Sequence, residues 1–534
     1  MIPNNIAIWR CHHTSFILKV IHQLLTKCKV VKEILDTTSD IKCNYQDIVF
    51  DNDYKYHVTE KVQIKGNNAY TLVESDHVKV TCTGTNKSTG TTMKWSGYTL
   101  GFRKVEIYST PDPYEKPFNI LMLGFDSTSR NGFIRRMPKS YQVLTEVLEA
   151  QVLNGYNIVG DGTPAALFPI LTGRAELELP DVRRRSHKKL YLDTMPFIFY
   201  DVKRHGYRTA YFEDMPWIGT FQYRFNGFQK QPTDHYLRSF FMEETSQGSK
   251  WWKHKNNDKY CVGDRPTHEL MFNTTKQFMD LDGPKFCFTF IADITHDDFN
   301  MISTADNYFS QYLRDLLNEK YLDYTMLVVM GDHGPRFANV RGTLQGKQEE
   351  RLPLMAIRMP TLMNKELTKR LSNNVNVLST PFDIHATFLH YIMTAVHNDY
   401  FAGRANDGRQ RSSRPTQLFI YILNIFKIPR NRSCSEAGIE PHWCACLHWT
   451  NVDKHERTYE AAVNALMNHI NALTDDKRTL VSIEWVMRQT VNKQLLAFKK
   501  NKDADGYLGL FADHTKVYKE FYEVKVTNSV GFQK

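Results

Sequence analysis

Residues 324–334 read Tyr324-Thr-Met-Leu-Val-Val-Met330-Gly331-Asp332-His333-Gly334. An uncharged, mostly apolar run of this length is the pattern of a strand buried on both faces, as in a parallel sheet. It stops at once in Asp332 and His333, two metal-ligand types carried on one turn. The flanking Gly331 and Gly334 are expected to let the backbone bend sharply enough to aim both side chains into one cleft.

Four further runs share this grammar: Phe118 to Leu123, Arg208 to Phe212, Lys285 to Ile291 and Leu354 to Arg358. Helical periodicity lies between them, at Ser140 to Ala150, Thr194 to Arg204, Glu269 to Leu281, Asp306 to Asn318 and Pro381 to Met393. Strands separated by helices predict an α/β fold, a doubly wound and mostly parallel sheet, over residues 116–400. Upstream, β-branched and aromatic runs broken by Gly, Asn and Thr (Lys61 to Ile64, Ala69 to Leu72, Val78 to Cys82, Phe102 to Tyr108) predict a small antiparallel β module over 51–115. Pro111, Pro113 and Pro117 punctuate its exit. Residues 1–50 read as a leader or an incomplete start. Residues 401–534 read as a linker, Phe401 to Pro415, followed by a C-terminal α+β subdomain with a helix at Tyr459 to Leu473 and β-rich residues from Tyr507 onward.

The 534 residues are 42% hydrophobic, 24% charged and 13% aromatic, an ordinary globular composition that excludes fibres, mucins and disordered tails. The net charge of +10 is spread along the chain. Its densest run, Arg183-Arg184-Arg185 with Lys188-Lys189, reads first as a solvated loop and second as a contact for phosphate or sulfated sugar. No zinc finger, RNA-binding signature or phosphate-binding Walker loop is present, so no nucleic-acid partner is expected. No apolar stretch reaches the roughly 18 residues of a membrane span. Ser15 to Leu25, interrupted by Lys19, His22 and Gln23, makes a poor leader. Three sequons, at Asn86, Asn273 and Asn431, and the cysteine trio Cys434, Cys444 and Cys446 nevertheless predict a glycosylated, disulfide-bonded protein, secreted or lumenal.

Ligands of parallel sheets bind beyond the carboxyl ends of the strands. Three runs end there in suitable side chains: Asp126, then Asp293 with His296, then Asp332 with His333. A fourth phrase, Gly160-Asp-Gly-Thr163-Pro164, reads as a helix start with Thr163 as N-cap and Pro164 in the first helical position. A hydroxyl there sits where amides and the helix dipole favour an anion.

Asp126, Thr163 nine positions before a Thr-Gly pair, and the late Gly-Asp-His-Gly resemble the alkaline phosphatase superfamily, which includes sulfatases, nucleotide phosphodiesterases and phosphoethanolamine transferases. The phrases Gly124-Phe-Asp-Ser-Thr-Ser-Arg130, Arg136-Met-Pro138, Thr295-His-Asp297, Gly331 to Arg336, Gly346 to Pro353, Thr380 to His385 and Cys444-Ala-Cys446 resemble its metazoan sulfatase-like branch, the domain of unknown function 229 family. The resemblance implies a metal-dependent hydrolase or transferase of phosphate or sulfate esters on a small molecule, glycan or lipid. Asp126, Asp332 and His333 would bind the metal, zinc first and calcium as the alternative, with Thr163 as metal-bound nucleophile. Asp293 and His296 would complete a second metal site or touch the ester; their spacing of three departs from the four of the phosphodiesterases. A further imidazole for that site is unassigned, His385 being either a ligand or a core histidine. Lys347 resembles the lysine that contacts sulfate in sulfatases, or is an exposed lysine leading a strand. Arg130 would clamp an anionic oxygen, or make a surface ion pair. Sulfatases build an aldehyde from Cys or Ser and use an Arg four residues on; here Thr163 and Leu167 hold those places, so a direct threonine alkoxide is the consistent chemistry. The competing expectation is a catalytically silent extracellular scaffold that binds anionic ligands.

Overall fold

The structure is a computed structural model that describes residues 18–20, 26–30, 32–106, 118–184, 186, 189–248, 260–263, 265–337, 339–363, 365–396, 425, 427–490, 520 and 522–530. At its centre, five parallel strands run in the spatial order Thr325–Gly331, Asn119–Phe125, Lys285–Ile291, Arg208–Glu213, His235–Tyr236. Two more extend the first edge: Met355–Arg358, antiparallel to Thr325–Gly331, and the short Gln151–Val152 beyond it. The expected strand at Leu354 to Arg358 is therefore present but reversed. The connection through the helix Leu344–Arg351 returns the chain beside the strand it has just left and antiparallel to it.

Every residue of Lys285–Ile291 and Thr325–Gly331 is buried. Their side chains alternate between two cores. Ile120, Met122, Phe286, Phe288, Phe290, Met326, Val328 and Met330 pack with Leu167, Phe168 and Ile170 of the helix Gly162–Thr172. Leu121, Leu123, Phe125, Cys287, Ile291, Leu327 and Val329 pack on the opposite face with Phe272 of the helix Thr267–Met279 and Phe309 and Leu313 of the helix Asp306–Asn318. Each such aliphatic or aromatic side chain contributes about 1.5–3 kcal/mol by leaving water. Burial on both faces is why the strands read as continuous apolar runs. The sheet is thus doubly wound and mostly parallel, as expected.

The N-terminal β module is a five-stranded sheet centred on Thr38–Asn52, which crosses the boundary expected at residue 51. It pairs with His77–Asn86, and Cys43 and Cys82, register partners on those strands, are disulfide-bonded. Thr92–Leu100 is a strand that its Gly, Ser and Lys content hid, whereas Phe102 to Glu106 is not one; the rest of that expected run, and the Pro111 to Pro117 linker, lie outside the described residues. Buried polar contacts fasten the module to the central domain: Arg238 Nε donates to the Asp53 carbonyl at 2.7 Å, and Gln222 Nε2 and the Phe228 amide donate to the Asp53 carboxylate at 2.8 and 2.7 Å.

At the C-terminal end, the helix Arg457–Leu473 stands with three antiparallel strands, His448–Asn451, Arg478–Thr490 and Tyr522–Val530. Arg478–Thr490 was not anticipated, because its residues are largely solvent-facing. Apart from the strand Leu18–Val20, the stretch Ser15 to Leu25 falls outside the description, as does the Phe401 to Pro415 linker. Among the described residues no helix is long and apolar enough to cross a membrane. Of the basic run, Arg183 pairs with Glu176 and Arg184 packs over the Tyr54 ring, while Arg185 and Lys188 are outside the description.

Within the cysteine trio, Cys434 is bonded to Cys444, and the Cys446 sulfur lies 3.5 Å from that of Cys434. Peptide mapping without reduction is expected to recover linked peptides for Cys43–Cys82 and Cys434–Cys444. Recovery of both pairs as free thiols from protein of its native cells would refute an oxidising compartment.

Candidate active site

Register brings the site together. Phe125 is the Cα partner of Gly331 on one side and of Ile291 on the other, so Asp126 and Asp332 follow paired positions at the carboxyl edge of neighbouring strands. Both strands then lead toward the same edge of the sheet, Asn119–Phe125 to Gln151–Val152 and Thr325–Gly331 to Met355–Arg358, and the residues that follow them line its carboxyl end side by side. Gly331 and Gly334 serve close approach: an added Cβ would stand 2.0 Å from the Thr128 carbonyl oxygen and 2.1 Å from that of Glu349. Neither has a positive φ, so the expected sharp bend is not their role. Ser127, by contrast, holds a left-handed φ of 54° while its amide donates to Asp332 Oδ1 at 2.9 Å and its hydroxyl to Asp126 Oδ1 at 2.8 Å. A non-glycine residue in that conformation costs about 1 kcal/mol, and here it ties the two carboxylates together.

Asp126, Asp332 and His333 are all buried, and one ligand atom from each lies within 4.8 Å of the others. His333 Nε2 is 3.3 Å from Asp332 Oδ2, 3.9 Å from Asp126 Oδ1 and 3.5 Å from Thr163 Oγ1. On its other edge, His333 Nδ1 faces the Gly334 carbonyl at 2.8 Å and so carries the proton, leaving Nε2 to present a lone pair to the cleft. Asp332 Oδ2 is buried without a hydrogen-bond partner. Burial pushes the Asp332 carboxyl above its ordinary range; His333 opposes the rise and Asp126 adds to it. Two buried carboxylates and an imidazole lone pair facing one another, one oxygen orphaned, are an acceptor-only set that a divalent cation fits.

Thr163 is half-buried beside this set. The helix begins at Gly162 with Asp161 in the cap position, so Thr163 lies in the first turn and is not the N-cap expected. The reason is electrostatic: the Asp161 carboxylate pairs with Arg336 at 2.9 Å and does not cap. Burial pushes the Asp161 carboxyl up, but Arg336, Arg341 and Arg224 outweigh it and hold it down at about 2. An unfolded Asp titrates near 4, so this pairing stabilises the fold above about pH 4 and loses its contribution as pH falls through about 2. Asp161→Asn is expected to cost about 1–3 kcal/mol at pH 7. Calorimetric melts should show the gap from wild type closing between about pH 4 and pH 2; a gap constant across that window would count against the ion pairs as its cause.

Asp293 is half-buried at the end of Lys285–Ile291, its amide held by Asp214. His296 Nδ1 lies 2.9 Å from Asp297 Oδ1. Burial lowers the His296 imidazole, but the hydrogen bond to Asp297 and the charges of Asp126 and Asp297 together raise it. Neither belongs to the set within 4.8 Å. Lys347 lies in the helix Leu344–Arg351 and is 1% exposed, so it is not the solvated strand-leading lysine of one expectation. Burial, with Arg351 beside it, pushes its ammonium down to about 7. Arg130 Nη1 donates to Asn154 O and Oδ1, both at 2.9 Å; as the first residue of the helix Arg130–Arg136 it bridges to a neighbouring loop. His385 Nδ1 faces the Ile170 carbonyl at 2.9 Å and its ring fills the space beside Gly173, the core histidine of the two readings.

Asp161, Arg224, Arg336 and Arg341 carried no assigned role in the sequence reading. Each is a common polar residue in a loop, and only their convergence marks them. The C-terminal segment also reaches the site, although its sequence carried little signal: Asn157, ahead of the Gly160–Pro164 phrase, donates to the Trp443 carbonyl and accepts from the Ala445 amide, and Arg351 lies over the Trp443 ring.

The profile of the family described as Protein of unknown function (DUF229) matches residues 10–489. The chain belongs to this family. No curated protein matches the sequence. Among solved structures it is similar to a protein in the alkaline phosphatase superfamily from Vibrio parahaemolyticus, at 15% identity and a TM-score of 0.34, covering 53% of this chain and 68% of that one. It is also similar to the C-terminal periplasmic domain of EcEptC from Escherichia coli in complex with Zn, at 14% identity and a TM-score of 0.36, covering 53% and 84%. A third similarity is to the phosphonate monoester hydrolase of Agrobacterium radiobacter, at 12% identity and a TM-score of 0.33, covering 52% and 73%.

Proposed function

We propose that this member of the DUF229 family is a metal-dependent hydrolase or transferase of phosphate or sulfate esters on a small molecule, glycan or lipid, with Thr163 as its nucleophile. The carrying observation is the convergence of Thr163 with the acceptor-only set of Asp126, Asp332 and His333, including the orphaned Asp332 oxygen. These three residues would hold a divalent cation, zinc in preference to calcium because an imidazole accompanies the carboxylates. When bound, such an ion supplies positive charge that lowers the pKa of a neighbouring hydroxyl and stabilises charge on an ester oxygen.

The chain's own residues do the rest. The first turn of Gly162–Thr172 aims the Thr163 hydroxyl into the cleft, where the free amides of the helix start favour an anion. Ser127 orients both carboxylates, and the Gly334 carbonyl fixes the His333 tautomer. Thr163, its proton given up to solvent, attacks the central atom in line while the bond to the ester's leaving oxygen breaks and that oxygen departs and takes up a proton; water or an acceptor hydroxyl then attacks the covalent ester and releases the threonine oxygen, which regains its proton. Asp293 and His296 would contribute to a second ion, and elemental analysis giving one or two equivalents decides that point. Oxidation of a threonine would yield a ketone, so the aldehyde route of sulfatases is closed. The disulfides, together with the exposed sequon at Asn431, support a secreted or lumenal location.

The test is turnover of 4-nitrophenyl phosphate, bis(4-nitrophenyl) phosphate and 4-nitrophenyl sulfate by metal-loaded protein. A phosphate ester is expected to be preferred. A preferred sulfate ester would return Lys347 and His296 to sulfatase-like roles, and no turnover of any would favour the non-catalytic scaffold.

A further inference from the structure

The residue before Thr163 is packed between two guanidiniums. A Cβ on Gly162 would stand 3.0 Å from Arg224 Nη2 on one side and 3.0 Å from Arg336 Cζ and Nη1 on the other, which is a reason for glycine there beyond its φ of 78°. Asp161 holds both: its Oδ1 accepts from Arg336 Nη1 at 2.9 Å and its carbonyl from Arg224 Nη1 at 3.3 Å. Arg336 Nε is buried without a hydrogen-bond partner. That orphan is a donor, beside the nucleophile, in a site whose other orphan is the acceptor on Asp332.

We propose that Arg224 and Arg336 are the anion-binding pair of this site, donating to the nonbridging oxygens of a tetrahedral anionic ester while Thr163 faces its central atom. Planar guanidinium forks match such oxygens in pairs, and they stay charged at any working pH. Asp161 is a positioning residue that pins one nitrogen of each fork, so the pair is set before the substrate arrives. The two arginines come from separate segments, 61 and 173 residues after Thr163. The assignment rests on the esterase reading for its chemistry, yet its test does not need turnover.

The experiment uses the metal-loaded full chain as wild type, Arg224→Gln, Arg336→Gln and Arg336→Lys. Inorganic phosphate is titrated calorimetrically, and 4-nitrophenyl phosphate kinetics, metal content and thermal melts are recorded in parallel. Both Gln variants are expected to keep wild-type metal content, to lose at least about tenfold in phosphate affinity, and to lose about a hundredfold in kcat/KM. Arg336→Lys keeps a cation for Asp161 but not the fork, so it is expected to fold like wild type and still lose phosphate affinity. Phosphate affinities within twofold of wild type in the folded variants would overturn the pair, as would a wild type that binds no phosphate. A wild type that binds phosphate through these arginines but turns over no ester would leave the pair standing and remove the Thr163 mechanism.

Discussion

Thr163→Ala is expected to lose at least on the order of a hundredfold in turnover of the preferred phosphate ester while keeping its metal. The hydroxyl lies 3.5 Å from His333 Nε2, whereas the ligand atoms of Asp126, Asp332 and His333 converge on one another independently of it. Removing one hydroxyl from a half-buried position in the first helical turn leaves the core contacts of Leu167, Phe168 and Ile170 untouched, so the melting temperature should barely move. Stopped assays with the three 4-nitrophenyl esters, beside metal analysis of the same preparation, check both halves. Full activity in the variant would remove Thr163 from the mechanism. Loss of metal together with activity would instead make it a ligand first.

The second large effect is expected at the ligands. Asp332→Asn or His333→Ala should abolish stoichiometric metal and, with it, activity, because each removes one of three donors from a set held by buried hydrogen bonds. Asp332→Asn keeps an oxygen that can still accept from the Ser127 and His333 amides, now at 2.9 and 2.7 Å, so the fold is expected to survive. It also relieves the burial of two neighbouring carboxylates, and without metal the variant should melt no lower than the metal-free wild type. Both measurements are made on one purified sample, by elemental analysis and by calorimetry with and without chelator. Retention of stoichiometric metal by both variants would dismiss the assignment.

Much of this protein is written locally. A strand buried on both faces must be apolar throughout, so the runs at Lys285–Ile291 and Thr325–Gly331 announced themselves without their partners. Residues just past such strands face the crevice of a parallel sheet, so Asp126, Asp332 and His333 were legible from chain position and ligand chemistry together. The helix Asp306–Asn318 was equally readable, because an amphipathic period needs only one chain segment.

Other features depend on which segments meet, and no local pattern encodes that. Met355–Arg358 has the composition of its parallel neighbours, and only its pairing with Thr325–Gly331 in the folded sheet reveals it as antiparallel. The roles of Gly331 and Gly334 come from the Thr128 and Glu349 carbonyls lying against them, not from their own torsions. Packing buried Lys347, and the Asn154 loop captured one nitrogen of Arg130. Cys434 is bonded to Cys444 with Cys446 close by, a pairing that spacing along the chain does not convey. The arginines around Asp161 illustrate the physical reason most plainly. Arg224 and Arg336 are 112 residues apart in sequence, each an unremarkable loop cation, and their charge acquires meaning only where folding sets both beside one glycine and one carboxylate.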